Sequence, residues 1–165
     1  MKNIIFKNGL LGGLIVSIVM ISMSFYMKEN PNNEPNAIVG FISMLLAFVF
    51  VVLGMKQQRE SIGFVSFGKA LAIGLSISLV IATIYVLVWL IIYYNFFPDF
   101  MDRYSEMVLK NTKTNDIVAK TAEMNQMKEW YKNPIMIILL TYMEILPIGI
   151  IVSLIGALIL KKKTN

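Results

Sequence analysis

Four long stretches that carry no charge, or only one, alternate with shorter polar segments along this chain: residues 8–27, 37–55, 70–97 and 134–160. A helix needs about 20 mostly apolar residues to cross a hydrocarbon core of about 30 Å, so each stretch predicts a transmembrane helix. The fourth rises roughly 40 Å at about 1.5 Å per residue, enough to span with tilt. Pro134 suits a first helical turn, where its missing N–H is not needed, and Lys161, Lys162 and Lys163 mark a headgroup surface at the other end. The first stretch is longer than a secretory h-region and leads into bulky Phe25, Tyr26 and Met27 rather than a small-x-small site, so it reads as a span and not a cleaved signal.

The connections differ in kind. Residues 28–36, KENPNNEPN, hold Pro31, Pro35 and four asparagines, which favour a bend, and the chain reverses there. Lys56, Arg59 and Lys69, opposed only by Glu60, predict a short basic loop. Trp89, Tyr93 and Tyr94 close the third stretch like an interfacial aromatic belt. The long segment 98–133 is polar, yet Met101, Tyr104, Met107 and Val108 recur at three and four, and so do Ile117, Met124, Met127 and Tyr131 after NTKTN. That period predicts two amphipathic helices folded as a hairpin, which either cover the bundle or lie on lipid, or serve as a lid or docking face.

Composition places the whole chain, 1–165, in one membrane domain, because 57% hydrophobic and 15% charged residues are far from a soluble average. The net charge of +5 does not point to nucleic acid, since the bases flank apolar runs instead of forming a stripe. Lys2, Lys7, Lys56, Arg59, Lys69 and Lys161 to Lys163 crowd short segments on one side, against Lys28 and the six bases of the long segment, where six acids balance them. Both termini are therefore expected in the cytoplasm and 98–133 outside, in a multi-pass protein of the inner (cytoplasmic) membrane. With no cysteine and no histidine, thiol chemistry, disulfides, His-based metal or haem ligation and catalytic triads are excluded.

Small residues fall every four places at Gly9, Gly13 and Ser17, at Ala70, Gly74, Ser78 and Ala82, and at Gly149, Ser153 and Ala157. Such seams let membrane helices approach closely. All three lie toward the expected cytoplasmic side, while Phe25, Tyr26, Tyr85, Trp89, Tyr93 and Tyr142 crowd the other. The pattern predicts a bundle pinched inside and wider outside, beneath the long segment.

Glu144 is the one acid inside an apolar stretch, about ten residues or roughly 15 Å below the outer end of its helix. Intramembrane acids are costly and functional by default. At that depth Tyr85, Ser17 and Ser43 are its nearest expected partners, and no lysine or arginine is available, so the carboxyl is expected to be protonated or wetted from outside. Pro147, three residues on, frees a backbone carbonyl in the preceding turn. The group is either a hydrogen-bonded lock or a proton or cation site.

Two other constellations are weaker. Asp99, Asp102 and Glu106 share one helical face and could bind a hard cation, but acids after Pro98 also complement a helix N-terminus, and that account is favoured. Met101, Met107, Met124 and Met127 could offer thioethers to Cu(I), yet methionine on an amphipathic face is usually packing. No metal and no cofactor is expected.

The runs VGFISMLLAF with GMK, FGKAL, FFPDFMDRY, and YKNP followed by EILPIGIIVSLIGALILKKK resemble the domain of unknown function 4199 family of small bacterial membrane proteins, over nearly the whole chain. Glu144, Pro147, Gly149 and the Pro98-Asp99-Phe100 stretch match family positions. The resemblance implies the all-α membrane fold and attaches no activity to these residues.

Three function classes remain. A non-enzymatic interaction or assembly role comes first, with the bilayer and a second copy or another membrane protein as partners. A small carrier or proton-linked channel using Glu144 is the alternative. An intramembrane enzyme comes last, because no paired acids converge within the membrane.

Overall fold

The computed structural model describes residues 1–30 and 37–161 as six α-helices and one short 3-10 turn, with no strand among the described residues. Four helices are long and apolar enough to cross a membrane: α1 (Lys2–Glu29), α2 (Ala37–Ile62), α3 (Phe67–Phe96) and α6 (Pro134–Leu160). Between α3 and α6 lie α4 (Phe100–Lys110), the 3-10 turn Thr114–Asp116 and α5 (Ile117–Tyr131). The expected bend falls mainly on residues 31–36, and Lys162 and Lys163 follow α6; both lie outside the described residues.

The helices run past the uncharged stretches. Charge forbids the bilayer but not the helix, so α1 already begins at Lys2 and α2 continues to Ile62, carrying Lys56 and Glu60 as a helical pair 3.9 Å apart. Gly63, in the left-handed region at φ 80°, ends α2. Ser66 caps α3, its side chain accepting from the Lys69 backbone N–H at 3.4 Å. The expected basic loop from Lys56 to Lys69 is thus reduced to residues 63–66, and Val65 within it is fully buried as a plug on the core. At the other end Asn133 caps α6 by accepting from the Ile135 N–H at 2.9 Å, with Pro134 at the first helical position.

In the bundle α3 packs on α1 and α6, α2 packs on α1 and α6, and α2 and α3 meet across the middle. The buried positions of α6 fall in a row of four-residue steps, Thr141, Ile145, Gly149, Ser153 and Ala157. Their counterparts on α3 are Ala70, Gly74, Ser78 and Ala82. Where these rows cross, a side-chain carbon added at Gly149 would stand 2.8 Å from Cβ of Ser78, and one at Gly74 would stand 3.0 Å from Cβ of Ser153. The Ser78 hydroxyl donates to the Gly149 carbonyl at 3.2 Å and lies 3.1 Å from that of Ser153, so this close crossing also carries interhelical hydrogen bonds. On α1, Gly9 faces Val80 and Gly13 faces Ile84, each with room for hydrogen alone.

These contacts belong to one packed core that includes Val16, Phe48, Val51, Met55, Ile77 and Ile145 and extends from mid-bundle to the end that carries Lys2, Lys56 and Lys161. The outer surface is apolar all round, with Ile18, Leu46, Leu79, Ile91 and Ile151 exposed. In water so large an apolar girdle would drive association, whereas lipid tails solvate it. The chain is a multi-pass membrane protein.

Candidate functional site

Toward the hairpin end the packed core gives way to a cavity of about 570 Å³. Its walls come from all four long helices: Val16, Met20 and Met23 of α1, Phe41, Ser43 and Met44 of α2, Tyr85 and Trp89 of α3, and Glu144 and Ile148 of α6. Its roof is the hairpin, through Phe100 and Tyr104 of α4 and Tyr131 of α5.

The roof is fixed by aromatic contacts. Trp89 meets Phe100 edge to face at 4.9 Å, Phe100 stacks on Tyr104 at 5.9 Å, and Tyr93 meets Tyr131 edge to face at 5.6 Å. Trp89 and Tyr93, expected as an interfacial belt, are turned into this cluster because the hairpin offers them rings to pack on; Tyr94 remains exposed. Phe25 and Tyr26, expected to crowd this end, are both exposed on α1, where Phe25 also meets Phe96 of α3 edge to face at 5.9 Å. An ion pair of 2.8 Å between Asp102 and Lys128 joins α4 to α5 across the hairpin. Only α4 is strongly two-faced. On α5 Met124 is buried and Met127 and Tyr131 are half-buried, whereas Ile117 is exposed, so the expected stripe holds from Met124 to Tyr131 and fails at the first turn.

Glu144 faces the cavity. Its Oε1 accepts from the Tyr85 hydroxyl at 3.2 Å, from α3 to α6. Among the residues lining the cavity there is no lysine or arginine, so no fixed cation offsets this carboxyl. The serine hydroxyls are already engaged with their own helices: Ser43 donates to the Gly40 carbonyl at 2.6 Å and Ser24 to that of Met20 at 2.8 Å. Ser17, at the expected depth, is buried and donates to the Gly13 carbonyl at 2.6 Å, and it does not line the cavity. Of the three expected partners, then, Tyr85 bonds Glu144, Ser43 shares its cavity, and Ser17 does neither. Pro147 lies on the exposed side of an α6 that runs unbroken through it.

Tyr131 senses the same space from above. Burial pushes its hydroxyl up to about 12, with the Glu144 charge the next cause, opposed by a hydrogen bond from Trp89. The phenol is therefore neutral at physiological pH and able to donate into the cavity.

The acidic face does not gather. Asp99 pairs with Arg103 at 2.6 Å and Asp102 with Lys128, while Glu106 is exposed; among the described residues no three acids come together in metal-ligand range. Met101 and Met124 are buried inside the hairpin, where thioethers pack.

A polar pair that the apolar runs conceal lies at the opposite end of the bundle. Asn8, 1% exposed, donates to the Ile4 carbonyl at 2.8 Å and to Gln57 Oε1 at 2.9 Å, joining α1 to α2. Asn8 fits because position 54 on α2 is glycine, its Cβ site 3.3 Å from the Asn8 amide nitrogen. A polar residue at the edge of an apolar stretch is ordinary, which is why the hydropathy pattern does not single it out.

No curated protein and no solved structure matches the chain. The sequence profile of one family, protein of unknown function (DUF4199), matches residues 7–162, and with nearly its whole length covered the chain belongs to that family.

Proposed function

We propose that this protein binds a small ligand in the cavity beneath the hairpin and acts as a carrier or proton-linked channel through Glu144. The carboxyl facing a space of about 570 Å³ is the single observation that carries this reading. A carboxyl whose only task was to lock two helices would be enclosed by packing, as the Ser78–Ser153 crossing is, and would not border a void. The reading is non-enzymatic: one acid and neutral phenols supply binding groups but no paired acid and base. An interaction or assembly role, with a second copy or another membrane protein, is the competing reading, supported by the exposed hairpin. On the density of lysine and arginine the hairpin faces away from the cytoplasm in an inner membrane, with both termini cytoplasmic.

A hydrophobic carbodiimide tests the central step, because it modifies an intramembrane carboxyl only when that group carries a proton. Mass spectrometry of the labelled peptide should show modification at Glu144 that fades as pH rises. Absent or pH-indifferent labelling at Glu144, in a protein that remains folded, would return the interaction reading to first place.

A further inference from the structure

We infer that the cavity is a site for a lipophilic organic cation, an ammonium or phosphonium whose charge is shielded by apolar groups. This inference rests on the proposed role of the cavity and adds the class of ligand.

The charge argument comes first. Glu144 is the one acid among the lining residues, and no base lines the cavity with it, so an anionic ligand would meet repulsion with nothing to offset it. Beside a neutral ligand the carboxyl would stay protonated and its charge would play no part in recognition. A single positive charge balances it. The other titratable groups facing this space are the phenols of Tyr85, Tyr104 and Tyr131, all of which are neutral when protonated.

The walls then exclude the small inorganic cations. Hard cations such as calcium require about six to eight oxygen ligands. Here one carboxylate supplies the only charged oxygens, and the neutral hydroxyls of Ser24, Ser43 and the three phenols come from five different helices. The rest of the lining is mainly aromatic rings, thioethers and aliphatic side chains. Tyr85, Trp89, Tyr104 and Tyr131 present aromatic surface, which attracts cations that carry little hydration. Met20, Met23 and Met44 add flexible, polarisable surface that adapts to ligand shape. The size agrees, since a proton or a bare metal ion needs no cavity of about 570 Å³, and small-molecule sites are commonly of this order.

Loading balances in protons. When a cation enters a site whose Glu144 is protonated, the Oε–H bond breaks, the proton leaves to solvent, and the carboxylate keeps the electron pair and holds the cation. One positive charge replaces another. The same ammonium chemistry is carried by free organic cations and by amine lipid headgroups, and the experiment separates the two.

The full chain in a neutral maltoside detergent is titrated calorimetrically, against empty micelles, with tetraphenylphosphonium and with its isosteric anion tetraphenylborate. The cation should bind at least about tenfold more tightly than the anion, a difference of about 1.4 kcal/mol. Glu144→Gln should weaken the cation by a similar factor and leave the anion unchanged, and Trp89→Leu should weaken the cation while carbodiimide labelling of Glu144 persists. Competition by phosphatidylethanolamine and not by phosphatidylglycerol would identify the cation as a lipid headgroup; no competition by either would identify it as a free organic cation, and both results retain the site. Equal affinity for the two ions, or cation binding indifferent to both substitutions, overturns the inference. If Glu144 labelling still responds to pH in that case, the cavity reading survives it; if that response is lost as well, both fall.

Discussion

The hydroxyl of Tyr85 on α3 donates to Oε1 of Glu144 on α6 at 3.2 Å, and the pair borders a cavity rather than a packed interface. Enclosed by packing, such a bond would be expensive to break, because an orphaned buried partner costs about 1–3 kcal/mol, but this one is exposed to the cavity. Water in the cavity can replace the lost partner here. Glu144→Gln and Glu144→Leu should therefore both fold, with thermal stability in detergent reduced by no more than about 1 kcal/mol. A Leu variant that melts far below the Gln variant would show that the pair is a structural lock.

Two glycines with opposite surroundings test the packing. A Cβ at Gly12 would stand 2.7 Å from the Ala47 backbone carbonyl oxygen and 2.6 Å from Cδ1 of Ile81, and backbone cannot swing aside. Gly12→Ala should destabilise by about 1–3 kcal/mol as the α1–α2 approach is forced open. At Gly40 nothing lies within 4 Å of that position, so Gly40→Ala should be neutral or gain up to about 1 kcal/mol from helix propensity. Similar melting temperatures for the two variants would contradict the close α1–α2 contact.

The orientation proposed from charge density is open to direct labelling in a cysteine-free chain. Cysteines placed singly at Asn115, in the turn before α5, and at Phe64, beyond the end of α2, lie at opposite ends of the bundle and at exposed positions. In intact cells an impermeant thiol reagent should reach the first and miss the second. The reverse result would turn the protein over in the membrane.

The spans were legible because lipid demands long apolar runs, and the α3–α6 seam because close approach demands small side chains at four-residue steps. Glu144 stood out as a charge where none belongs. Tyr85 was reachable too, since straight helices preserve depth and simple counting places both residues on one level. Ser17 failed the same count for a reason that depth cannot express: it lies on the α1 face that enters the core, and its proton is bound to Gly13. The hairpin roof was not legible. Whether Trp89 and Tyr93 meet lipid headgroups or Phe100 and Tyr131 depends on how 98–133 folds back, and a three-four pattern gives helices without giving their docking. Asn8 and Gln57 left no trace, since both lie at the ends of apolar runs, where a polar residue is ordinary.

Tyr131 gives a reading of the cavity from outside the spans. Its hydroxyl is raised to about 12, first by burial and next by the Glu144 charge. The ordinary phenol ionises near 10, so the folded protein favours the neutral form. Stability from this residue is therefore complete below about pH 10 and declines as pH rises from there to about 12, because the unfolded chain loses the proton first. Alkaline absorbance titration of the native protein, with Tyr131→Phe subtracted, should isolate this late step. In Glu144→Gln the step should move down, since one upward cause is gone, yet stay above the ordinary value because burial, the larger cause, remains. A Tyr131 that titrates normally in the native protein would mean that the hairpin does not roof the cavity, and one unmoved by Glu144→Gln would mean that its phenol and the carboxylate do not share that space.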